Sequence, residues 1–109
     1  MRFCPWYGLD EVDRHAPSTR GVLQVRVPTG LLAYPTGQSA MVHYELAEDV
    51  RAAASAFAAR FGGRGWLCRH TIEMTEADEA GLAVFWERLL RDFRVRFGSL
   101  PRLPEEVAA

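Results

Sequence analysis

The sequence predicts an α+β domain, a small three-stranded antiparallel sheet flanked by helices. Gly21 to Val27 and Ala40 to Leu46 are short runs of strand character, with the turn signals Pro28-Thr29-Gly30 and Pro35-Thr36-Gly37 between them. Val50, Ala54, Phe57 and Phe61 then recur at helical spacing. A further strand-like run, Trp66 to Met74, precedes an apolar stripe from Leu82 to Phe97. Strands joined by turns, with amphipathic helices to cover them, make a sheet with helices packed on it.

Taken in order, Met1 to Arg20 combines an aromatic opening (Phe3, Trp6, Tyr7) with a short helix from Leu9 to His15. Leu9 and Val12 pin that helix to the core, and Pro17-Ser18-Thr19 ends it. The strand Gly21 to Val27 follows, then Leu31-Leu32-Ala33-Tyr34, a loop apolar enough to fold back onto the domain. After the second strand, Glu48 and Asp49 favour a helix start by placing negative charge near its positive end, and Gly62-Gly63 stops it. In the third strand Trp66, Cys68, His70, Ile72 and Met74 share one face. Thr75 with Asp78 opens the last helix in the manner of a capping box. That helix buries Leu82, Phe85, Trp86, Leu89, Leu90, Phe93 and Phe97, and Pro101-Arg102-Leu103-Pro104 with an acidic tail closes the chain.

With 109 residues, 49% of them hydrophobic, the chain reads as a single domain over 1–109 with its core at about 9–104. No apolar run approaches the roughly 20 residues that cross a bilayer. Pro5, Asp10 and Glu11 interrupt any leader-like stretch, so a cytoplasmic protein without membrane contact is expected. Cys4 and Cys68 are too few for a disulfide framework. The absence of Lys excludes Schiff-base chemistry, and the net charge of −1 is not that of a DNA-coating protein, although a local basic patch still binds phosphate.

The order strand, hairpin, strand, helix, strand and long helix with a glutamate resembles the GIY-YIG nuclease domain, over roughly Leu9 to Pro104. Gly21-Val22-Leu23 stands where that family has Gly-Ile-Tyr, and His43-Tyr44-Glu45 where it has Tyr-Ile-Gly. Glu87, set in Val84-Phe85-Trp86-Glu87-Arg88-Leu89-Leu90, matches the metal-binding glutamate, and Pro101-x-x-Pro104 matches a Pro-x-x-Asn tail except in its last residue. Leu23 lacks the first tyrosine's hydroxyl and Glu45 replaces a glycine. The family's arginine falls near Ala53; Arg51, two residues away, lies about 200° round the helix. An alternative register through Tyr34-Pro35-Thr36-Gly37 is rejected because Pro35 removes a ladder donor.

The resemblance implies a module that has lost catalysis and acts by binding protein or nucleic acid in a larger assembly, with no cofactor. Its alternative is a DNA or RNA endonuclease using Mg²⁺ or Mn²⁺ on Glu87, with His43 and Tyr44 completing the catalytic set. Arg88, Arg91, Arg94 and Arg102 are the candidate nucleic-acid contacts, against the plainer reading of a solvated face in which Glu87 pairs with Arg91. Phe3, Trp6, Tyr7 and Tyr34 are either caps on the sheet or a protein interface, including one for self-association. Cys4, His43, Cys68 and His70 lack metal-ligand spacing, and a buried thiol and imidazole are expected instead.

Overall fold

The computed structural model describes residues 1–104, and the acidic tail expected beyond them lies outside the described residues. The elements are β1 (Arg2–Phe3), β2 (Tyr7–Gly8), a 3-10 turn (Leu9–Glu11), α1 (Val12–His15), β3 (Gly21–Arg26), β4 (Leu32–Tyr34), β5 (Gly37–Ser39), β6 (Met41–Ala47), α2 (Val50–Phe61), β7 (Leu67–Ile72), α3 (Glu76–Ala80) and α4 (Leu82–Phe97). The fold is α+β, and all its strand pairs are antiparallel among the described residues.

The central strand is β3, hydrogen-bonded to β6 on one side and β7 on the other. Alternation along β3 divides the core between two faces. Leu23 and Val25, both fully buried, pack in one cluster with Val50, Ala54, Phe57 and Phe61 of α2. Burying each of these side chains larger than Ala54 contributes about 1.5–3 kcal/mol. On the other face, Tyr44 is in register with Gln24 and sets its ring 5.6 Å from Phe93 of α4. Trp86 of α4 donates its indole N–H to the Tyr44 carbonyl at 3.3 Å.

The sheet has five strands rather than the expected three. Residues around Phe3 and Tyr7 pair with the outer edge of β7, which would otherwise expose a row of unpaired peptide groups. These strands are two residues long and Pro5 separates them, so no alternation announces them in sequence. Leu32–Tyr34, expected as a loop, pairs with Gly37–Ser39 in a small separate hairpin. The third long strand also stops sooner than expected, because Glu73 turns out of it at φ 52°. The single last helix is two, α3 and α4, meeting at Gly81; Thr75 and Asp78 form a full capping box, but on the shorter α3.

Two local devices fix α2 and its sheet. Asp49 caps α2 by accepting from the Ala52 N–H at 3.0 Å, so its part is a hydrogen bond as well as a charge. Gly21 lies so close to β7 and α2 that an added Cβ would sit 2.8 Å from Thr71 Oγ1 and 3.0 Å from Val50 Cγ2.

Candidate functional site

A cavity of about 330 Å³ opens between β6, α2 and the segment after α4, with His43, Glu45, Phe57, Arg60, Arg102 and Leu103 on its wall. Three elements build it. β6 presents His43 and Glu45, two residues apart and therefore on one side of the strand, toward α2. His43 lays its ring 4.6 Å from that of Phe57 and places Nε2 2.7 Å from Glu45 Oε1. Ala53, Phe57 and Arg60 of α2 recur at helical spacing along the same wall. The chain then passes Tyr34, whose hydroxyl donates to the Met41 carbonyl at 2.6 Å and accepts from the Arg102 N–H at 3.2 Å. That clasp holds Arg102 over the cavity rim. Its Nε is buried and has no hydrogen-bond partner among the described residues.

Four of the positions matched to the nuclease motifs line this cavity: His43, Glu45, Ala53 and Pro101. Leu23, matched to the first tyrosine, is in register with Glu45 and fully buried. Glu87 is elsewhere. It is exposed on α4, about 120° round the helix from the buried Phe93. It forms no ion pair with Arg91 among the described residues, and no cluster of three or more metal-ligating side chains occurs among them. The structure therefore does not bring His43, Tyr44 and Glu87 together. His43 faces α2, the Tyr44 ring lies against α4, and Glu87 points outward from α4. Burial pushes the Tyr44 phenol up to about 12, only partly countered by Arg69, so it keeps its proton at neutral pH and is no base there.

The expected nucleic-acid residues divide as well. Arg88, Arg91 and Arg94 are exposed on the outer side of α4 and join no ion pair among the described residues. Exposed Val84 and Val95 interrupt that surface. Arg102 belongs to the cavity instead, because the chain turns away after Gly98, at φ 80°. Among the expected interface aromatics, Tyr7 and Tyr34 are interior, at 7% and 6% exposure. Each hydroxyl has an internal partner, which removes the reason for facing a partner protein. Phe3 and Trp6 are half-buried and enclose the Arg69 guanidinium at 4.6 and 4.3 Å from their ring centres.

Arg60 and Arg69 are not among the residues the sequence singles out. The helical interval from Phe57 to Arg60 was the clue available for the first, whereas Arg69 depends on the unforeseen strand at Phe3. No family model, curated protein or solved structure matches the chain. Among the described residues no helix is long and apolar enough to cross a membrane.

Proposed function

We propose that this protein is a GIY-YIG-like module that binds nucleic acid without cleaving it. The observation that carries the reading is the separation of His43, Tyr44 and Glu87 onto three different surfaces, while the cavity beside the matched positions His43, Glu45, Ala53 and Pro101 persists. Hydrolysis of a phosphodiester needs the metal ligand and the water-activating group at one phosphate. Binding needs only accessible cations, and Arg88, Arg91 and Arg94 supply three guanidiniums on the outer side of α4. Free Cys4 and Cys68 are in keeping with a reducing, cytoplasmic setting.

The test is a labelled duplex and a single strand incubated with the full chain, with and without Mg²⁺ or Mn²⁺. Expected are binding that weakens steeply with salt, loss of that binding in the Arg88→Ala/Arg91→Ala/Arg94→Ala variant, and no cleavage. Metal-dependent cleavage that disappears in Glu87→Ala would instead establish the endonuclease alternative. A second reading, a protein partner on the same helix face, is favoured by Val84 and Val95, which are 59% and 81% exposed. It predicts that Val95→Asp abolishes partner capture while duplex binding in wild type is absent at every salt concentration.

A further inference from the structure

We infer that the cavity between β6, α2 and the Arg102 segment is a binding site for a small oxyanion carrying an apolar body, such as an aryl phosphate or an aryl carboxylate. The inference rests on the cavity's own chemistry and stands whether or not α4 binds nucleic acid. Arg102 supplies its central observation. Its Nε is buried with no hydrogen-bond partner among the described residues, an unfavourable arrangement, and the same residue lines a cavity of about 330 Å³. A carboxylate or phosphate oxygen is the acceptor that suits it, because the planar guanidinium matches both head groups in a bidentate manner.

The remaining wall agrees with that ligand. Arg60 brings a second guanidinium from the last turn of α2. Glu45 sets its carboxylate against the two guanidiniums, and His43 Nε2 holds it at 2.7 Å. The two arginines then set the sign of the cavity. Phe57, Leu103 and Val42 supply apolar wall for the body of the ligand, and the volume is that of a compact small molecule rather than a polymer groove. The Tyr34 hydroxyl fixes the backbone of Arg102 from the hairpin, and the Tyr34 ring lies 5.8 Å from the guanidinium carbon, so both ends of the side chain are placed before any ligand arrives.

The experiment titrates the full chain with phenyl phosphate and with benzoate, using phenol and inorganic phosphate as part-ligands, and follows binding by calorimetry and His43 and Phe57 resonances. Expected is saturable binding of at least one aryl oxyanion, tighter than either part-ligand, with the tighter of the two identifying the head group. Arg102→Met keeps the long apolar stem and should weaken that binding about tenfold or more. The same variant should melt no lower than wild type without ligand, because it removes an unpaired buried donor. The Arg88→Ala/Arg91→Ala/Arg94→Ala variant should bind the aryl oxyanion as wild type does, so this inference and the nucleic-acid reading fail separately. No saturation at millimolar ligand, or binding indifferent to Arg102→Met, would overturn the inference. So would competitive displacement of the bound aryl oxyanion by duplex DNA, which would assign the cavity to the polymer.

Discussion

His70 is 4% exposed, and its Nδ1 lies 3.0 Å from the Tyr7 hydroxyl and 3.5 Å from Cys4 Sγ. Burial pushes the Tyr7 phenol upward, so it retains its proton beside His70 Nδ1. Burial, assisted by the neighbouring His15, also depresses the His70 pKa below its ordinary 6.5. The unfolded chain therefore binds this proton more readily than the native state does. The resulting stabilisation is complete above pH 6.5 and is lost as pH falls through and below that value. A His70→Gln variant should show a smaller fall in Tm between pH 7.5 and 5.5 than wild type, measured by thermal denaturation in matched buffers. An unchanged pH slope would remove His70 as its source. Gly21 is the second residue with a sharp expectation. Gly21→Ala must displace Thr71 or Val50 and should cost about 1–3 kcal/mol, read from denaturant midpoints at constant m.

Among the elements, α2 depends on its ends and α4 on its inner face. Asp49→Ala leaves the Ala52 N–H without its capping acceptor and should lower stability by about 1 kcal/mol. That is several degrees in Tm for a domain of this size, whereas Asp49→Ser should recover most of it. The inner face of α4 was legible in part: Trp86, Phe93 and Phe97 repeat at helical intervals and meet β6 or the hairpin. Of the seven side chains expected to be buried, however, only Leu82 and Phe93 are, and Phe85, Trp86, Leu89, Leu90 and Phe97 are half-buried. The division of the helix at Gly81 was not legible. The apolar stripe begins after the capping box at Thr75, and sequence spacing alone does not show that one short helix ends before the next begins.

For the whole molecule, the sheet is closed by segments distant in sequence. The first eight residues cover the outer edge of β7, and Tyr34 with Arg102 fastens the last described segment beside β6. Removing residues 1–8 should lower Tm and promote concentration-dependent association, seen by light scattering, because the β7 edge is uncovered and Arg69 loses its aromatic partners Phe3 and Trp6. A monomeric truncation with unchanged Tm would show that this strand is dispensable. By itself the sequence determined the α+β class, the positions of β3, β6, α2 and β7, and which face of α4 turns inward, because each depends on short-range periodicity and on capping or turn residues. Only the tertiary structure decided that His43 and Glu87 lie apart, that Arg102 leaves the α4 arginines for the cavity, and that Phe3 and Trp6 enclose Arg69. Those outcomes depend on which face of the sheet each helix covers and on where the chain ends fold back. Both are set by packing between segments far apart in sequence, on which local pattern is silent.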